Sequence, residues 1–301
     1  MSYELERPTR VAPEIRRIVV ERLDHAIEQL SAESLREDRA VAVHTARKDL
    51  KKARSAMRLA KGNLTRDAYR SGNDRLRDAA HELAAVREND AMTGALSSLV
   101  DEKAPVMSDS CAAGAREWSE RLRPSEGSKD VTEEASRAAA IIAGVKEDAR
   151  SWALGYGSWE IIEPGLRRSY RRGRAGLAMA ETDSDDETLH EWRKRVKDMW
   201  YSLRLLSRMW PEVLGAAAEE AHKVSELLGD HHDLGELAGV IEGGQSGLGS
   251  EDCAELLVHA RAKQAELHLT ALTKGRRIYA ERPRRYSQRL EALWRAWEQQ
   301  S

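Results

Sequence analysis

The apolar positions of this chain recur at intervals of three and four, and no convincing alternation of period two is present. Ile15, Ile18, Val19, Leu23, Ala26, Ile27 and Leu30 predict a first helix over 13–31, with Pro13 suited to its start. A second helix is predicted over about 37–61, stopping at Lys61-Gly62-Asn63. Leu76, Ala79, Ala80, Leu83 and Val86 mark a third over about 64–88, and Asn89-Asp90 opens a short helix toward Leu99. Residues 101–111 read as a loop, 112–122 as helical, and Pro124-Ser125-Glu126-Gly127-Ser128 as a break. An Ala-rich stripe from Val131 to Leu154 leads to Gly155-Tyr156-Gly157-Ser158, the expected boundary between halves spanning 1–156 and 157–301. The second half predicts helices over 165–180, from the acidic turn Asp183–Glu187 to Trp210, over 212–228, over 251–274, and from about 283 to Trp297. Gly229-Asp230-His231-His232-Asp233-Leu234 reads as a break in which Asp233 caps a helix starting at Leu234. The pattern predicts an all-α protein of two successive antiparallel helix sets.

Within the second predicted helix stands His44-x-x-Arg47-Lys48-x-x-Lys51-Lys52-x-Arg54-x-x-x-Arg58. The chain repeats it as His190-x-x-Arg193-Lys194-x-x-Lys197, followed by Arg204, each matched position 146 residues on. At about 100° per residue these five positions share a helical face roughly 80° wide and about 21 Å long. A solvated face usually interleaves charges of both signs. Here like charges recur at spacings that repel, and the arrangement gains stability when an anion lies against it. The face is therefore expected to bind a linear polyanion.

Charge and cysteine content narrow the picture. The formal net charge is −2, so this is no uniformly basic nucleic-acid binder, and any anion site is a local concentration of cations. Cys111 and Cys253 lie far apart without metal-ligand spacing and read as ordinary thiols. The start of the chain has no apolar leader pattern and no run of 18 apolar residues occurs, so a cytoplasmic, non-membrane protein is expected. Most of the eight tryptophans read as packing residues, Trp192 and Trp200 as the flank of the second motif helix.

The doubled motif resembles the CHAD family, the conserved histidine α-helical domain, as do Leu228-Gly229-Asp230-His231-His232-Asp233-Leu234 and the run from Lys274 to Pro283. The resemblance implies two pseudo-symmetric four-helix bundles around a basic central groove. It also implies binding of inorganic polyphosphate at bacterial polyphosphate granules. Family members often follow a triphosphate-hydrolysing domain, whereas this chain resembles a stand-alone member. Carried over by position, the contacts would be His44, Arg47, Lys48, Lys51, Arg54, Arg58, His190, Arg193, Lys194, Lys197 and Arg204. Arginines of the preceding helices would join them: Arg17 in the first copy, and Arg168, Arg171 and Arg172 in the second. Glu21 stands where a cation is expected, and Trp200 where the first copy has Arg54, so the second half is expected to bind more strongly.

Three rival readings weigh less. A metal site would draw on His231, His232 and Asp233 with His222 or His81, but adjacent histidines cannot both face one helical site. A polyphosphatase would need carboxylates holding Mg²⁺ beside the phosphates, and the basic faces lack clustered acids. General nucleic-acid binding is disfavoured by the near-neutral whole and the absence of a reading module. No enzymatic activity and no cofactor are expected.

Overall fold

In the computed structural model, which describes residues 2–83, 88–122, 132–155 and 157–300, the apolar repeats form helices and no described residue joins a strand. Eleven α-helices occur among these residues: α1 Val11–Gln29, α2 Ala32–Leu59, α3 Arg66–Glu82, α4 Glu88–Lys103, α5 Asp109–Leu122, α6 Thr132–Arg150, α7 Trp159–Ala180, α8 Asp186–Leu205, α9 Pro211–Glu242, α10 Ser250–Ile278 and α11 Pro283–Glu298. The expected break at Pro124–Ser128 lies outside the described residues, as do Val86, Arg87, Val131 and Tyr156.

Helix starts follow local chemistry. Ser31, Thr65 and Asp185 accept the backbone N–H of Ser34, Ala68 and Thr188, capping α2, α3 and α8. Asp186 and Glu187 add negative charge to the first turn of α8, as the acidic turn predicts. Inside α2 the backbone leaves helical range at Asp38 (φ −154°, ψ 94°), whose carboxylate accepts the Val41 N–H at 3.0 Å. Asp38 is thus an internal cap for the histidine-bearing segment, which explains why the sequence pattern starts that helix near 37.

Several expected interruptions are helical instead. α9 runs without a break through Gly229–Leu234, so Asp233 starts no helix there. At Gly229 a Cβ would lie 2.3 Å from Arg193 Nη2, so a side chain there would displace the Arg193 guanidinium. Gly275, inside α10, is covered by the Trp192 ring, 2.6 Å from where its Cβ would be. Close approach, not chain breaking, accounts for both glycines. α7 begins at Trp159 and contains Pro164, which lacks the N–H that would bond the Glu160 carbonyl. Asn63 Nδ2 donates to the carbonyls of Glu160 and Ile161 instead, at 3.4 and 3.1 Å. The expected loop over 101–111 is mostly helix: α4 reaches Lys103, a 3-10 turn spans Ala104–Val106, and α5 starts at Asp109.

α1 packs on α2 and α6, and α3 packs on the same two helices; α8 packs between α7 and α9, and α9 on α10. α4 and α5 reach across to α9 and α10. Leu96, Val100, Cys111 and Trp118 bury there against Leu237, Ile241 and Leu256 as a separate core. Burial pushes the Cys111 thiol up to about 11, which marks it as a packing group. The main core takes buried residues from Tyr3 to Trp294 and continues across the Gly155 region. α2 also packs directly on α7 and α8. This junction brings the two motif helices together.

Candidate basic site at the crossing of the histidine helices

α2 and α8 cross antiparallel. Arg58 of α2 donates to Asp198 of α8, whereas Lys52, earlier on α2, shares a cleft with Arg204, later on α8. The midpoint falls at Ser55 and Tyr201, both buried. Tyr3 fills this point: its ring meets Tyr201 edge-on at 6.1 Å, and its hydroxyl donates to the Lys52 carbonyl at 3.1 Å. His44 and His190 each precede the midpoint by 11 positions. They therefore lie about 16 Å from it on opposite sides.

The motif arginines tie each histidine helix to the next helix. Arg47 Nη1 donates to the Leu83 carbonyl at 3.0 Å, and Arg193 Nε to the Ser225 carbonyl at 3.1 Å. Both arginines are half-buried, while Lys48 and Lys194, one position on, are exposed. Adjacent helical residues point about 100° apart, so one motif carries both a packing cation and a solvent-facing one. Lys194 pairs with Glu191 at 2.5 Å. Lys51, Lys197 and His44 are half-buried on the same helices.

The cations converge in two places. The first is a cleft of ≈ 660 Å³ beside the crossing, lined by Lys48 and Lys52 of α2, by Arg204, Arg208 and Trp200, by His222 of α9, and by the carboxylates of Glu4 and Glu219. The Trp200 ring lies against that of His222 at 34° with ring centres 3.9 Å apart, and Arg204 lies over the Tyr3 ring at 5.7 Å. Trp200 occupies the position that carries Arg54 in the first copy. The second place is a cluster around Asp198, which accepts from Arg58 and pairs with Arg195 at 3.4 Å. Arg172 lies near Asp198, and Lys61 lies near Arg58, Arg70, Arg168 and Arg172. Burial, followed by the charges of Arg168, Arg172, Arg58 and Arg70, pushes the Lys61 ammonium below its ordinary value. Burial, followed by Arg195, does the same to Arg172, and burial with Arg58 to Arg54. Arg54 also donates to Asn73 Oδ1 at 3.1 Å. Like charges held this close are relieved by a bound anion.

The remaining expected contacts are placed differently. Arg168 and Arg171 are exposed on α7, and Arg168 joins the second cluster. Arg17 sits in an acidic surround on α1, 2.8 Å from Glu14 and 3.2 Å from Glu21. Its charge is already met there. His190 Nδ1 is buried without a hydrogen-bond partner, and its ring lies 4.9 Å from that of His232. Burial, then Lys194, His232 and Arg193, hold the His190 imidazole below the ordinary histidine value. Burial does the same to His231, against the pull of Asp186. Among the described residues, no group of three or more His, Cys, Asp or Glu is arranged to hold a metal ion.

The expected polyphosphate contacts leave out Lys52, although it stands within the motif, and Lys61, Arg70, Arg195, Arg208 and His222. One signal was available in the repeat. Asp49 stands where the second copy has Arg195, and Lys52 where it has Asp198. Each copy thus places an acid and a cation three residues apart, in opposite order. Asp49 is fully buried and gathers Lys52 at 3.1 Å, Arg22 at 3.3 Å and His25 Nδ1 at 2.5 Å. Each carboxylate anchors cations of a neighbouring helix to its motif helix.

Two histidine helices thus cross in an all-helical frame, with cations gathered beside the crossing. A sequence model of the CHAD domain matches residues 18–242, so the chain belongs to the CHAD domain family. That match begins within α1 and ends with the last residue of α9. Neither a curated protein nor a solved structure matches the chain. No helix among the described residues is long and apolar enough to cross a membrane.

Proposed function

We propose that this protein binds inorganic polyphosphate without hydrolysing it, at the two cation concentrations beside the α2–α8 crossing. In a chain of net charge −2, Lys48, Lys52, Arg204 and Arg208 line one cleft beside the crossing, and this concentration of cations carries the reading. A flexible phosphate polymer needs spaced cations and no base-reading surface. Arginine forks match phosphate oxygens in pairs, and lysines add point charges. His190 would donate a hydrogen bond to phosphate, which would favour its protonated form.

Geometry supports treating the two places as related halves of one groove. Shifting the Lys52–Arg204 neighbourhood by the repeat interval of 146 residues maps it onto Asp198 and Arg58. A pseudo-two-fold through Ser55 and Tyr201 would then relate the bundle of α1, α2, α3 and α6 to that of α7 to α10. The expected division into 1–156 and 157–301 follows this axis except for α4 and α5, which pack on α9 and α10 of the other half. Binding rather than hydrolysis is supported by the use of the nearby acids. Asp198 is paired with Arg58 and Arg195, Glu191 with Lys194 and Arg195, and Glu4 with Arg208. We place the protein in the cytoplasm at polyphosphate granules.

Charge reversal at Arg204 and at Arg172, compared with exposed Arg295 on α11, tests the site. The first two should each weaken polyphosphate binding about tenfold, and the third should leave it unchanged. Equal effects at all three positions would overturn the assignment. Phosphate release in the presence of Mg²⁺ would replace binding with hydrolysis.

A further inference from the structure

The cleft beside the crossing holds more than a bare phosphate chain can use. One wall is cationic, with Lys48 and Lys52 of α2 joined by Arg204 and Arg208. Another is a single strip of α9: Pro211, Gly215, Ala218 and His222. Their spacing of four, three and four keeps the strip within about 60° of the helix surface, over a length of about 16 Å. Glycine and alanine at its centre make a shallow floor. Outside its own stretch of helix, a Cβ at Gly215 would meet no described atom within 4 Å, so the space above it is open. Rings close one end of this floor: His222 lies 3.9 Å from Trp200, which packs on Tyr201 at 4.5 Å. Trp200 stands where the first copy carries Arg54, so this ring is no part of the repeated cation motif. The cleft also holds the carboxylates of exposed Glu219 and of Glu4, the latter 3.4 Å from Arg208. A uniform polyanion is repelled by both acids and gains nothing from the rings or the bare floor.

We propose that this cleft binds a nucleoside polyphosphate. The phosphates lie on the cationic wall, and the base lies flat over Gly215 and Ala218 with its edge toward His222 and Trp200. Glu219 accepts hydrogen bonds from the sugar hydroxyls or from an amino group of the base. The inference rests on the phosphate reading of the cationic wall and adds the organic half of the ligand. A volume of ≈ 660 Å³ falls within the range of about 300–1,000 Å³ usual for small-molecule sites, which join apolar walls to a few placed polar groups. The interior of an RNA strand carries one phosphate per base, so it cannot set a run of phosphates against four cations while its base fills the floor. Polyphosphate would compete for the cationic wall alone.

Calorimetric titration of the full chain with adenosine triphosphate and with tripolyphosphate, at one ionic strength and without divalent cations, tests this. The parent should bind adenosine triphosphate about tenfold more tightly despite its lower charge, because the base adds contacts that tripolyphosphate lacks. Gly215→Leu fills the floor at a helical position where leucine is favoured over glycine, and circular dichroism verifies its fold. It should weaken adenosine triphosphate about tenfold and leave tripolyphosphate within about twofold. Arg204→Glu should weaken both. The parent comparison stands without any variant: adenosine triphosphate bound no more tightly than tripolyphosphate overturns the nucleoside half and leaves the phosphate reading intact. So does a Gly215→Leu variant that changes both ligands alike or neither. Failure of both ligands to bind the parent overturns the phosphate reading and this inference together.

Discussion

Replacing Asp198 by Asn should weaken folding and strengthen polyphosphate binding together. Asp198 is the internal anion of the second basic cluster, bridging Arg58 on α2 and Arg195 on α8. The Asp198 and Arg58 side chains are only 12% and 21% exposed. Removing one partner of a buried pair costs about 3–5 kcal/mol, and the residual hydration of Arg58 places this case near 3 kcal/mol. Asn keeps the shape and one acceptor, so the main loss is the charge. That same loss leaves the cluster one unit more positive toward an incoming phosphate. At about 8 Å and an effective dielectric of about 40, one unit charge contributes roughly 1 kcal/mol, or about fivefold in affinity at low salt. Urea unfolding measures the first effect and calorimetric titration with polyphosphate the second. Added polyphosphate should also recover more stability in the variant than in the parent, since ligand binding to the folded state is linked to its stability. If affinity fell with stability, Asp198 would shape the cluster rather than compete with its ligand. An unchanged affinity would remove the second cluster from the binding site.

Two further outcomes follow from the same geometry. His190 and His231 are held below the ordinary histidine value, chiefly by burial. The unfolded chain therefore takes up protons near pH 6.5 before the folded chain does, and stability is full above that pH and lost as pH falls through the folded values. Thermal melts without ligand should decline from about pH 7 to pH 5, and His190→Gln with His231→Gln should flatten the decline; an unaltered slope would contradict the cause given. Polyphosphate reverses the sense for His190, so affinity should rise as pH falls. The motif also separates into packing and binding cations. Arg47→Met and Arg193→Met each remove a charged side-chain donor to a backbone carbonyl and should cost about 1–2 kcal/mol in urea unfolding. Lys48→Glu, on an exposed side chain, should move stability by less than about 0.5 kcal/mol while lowering polyphosphate affinity. The reverse ranking would disprove the division.

The helices were legible because burial of an apolar stripe imposes a 3.6-residue period that survives in sequence. The repeat of His44 and His190 was legible for the same reason, as a fixed spacing on one face. Gly229 and Gly275 were misread as punctuation because a glycine that makes room for Arg193 or Trp192 looks, in one dimension, like one that ends a helix. The helix expected over 165–180 starts at Trp159 instead, because Pro164 inside it is compensated by Asn63, far away in sequence. The cation clusters were half legible. Helical spacing aligns Arg47, Lys48 and Arg58, but only the antiparallel crossing decides that Arg58 meets Asp198 and that Lys48 shares a cleft with Arg204. Arg17 showed the same limit: its neighbours Glu14 and Glu21 were visible, but not that both would turn toward it.

The salt dependence of long-chain polyphosphate affinity, measured by calorimetry beside single-stranded RNA under the same conditions, tests the central claim most directly. With about five cations engaged, log K should fall against log salt with a slope of about −3.5, by analogy with single-stranded polyanions, and RNA should bind far more weakly. A shallow slope, or RNA bound as tightly as polyphosphate, would contradict a site built for a phosphate chain.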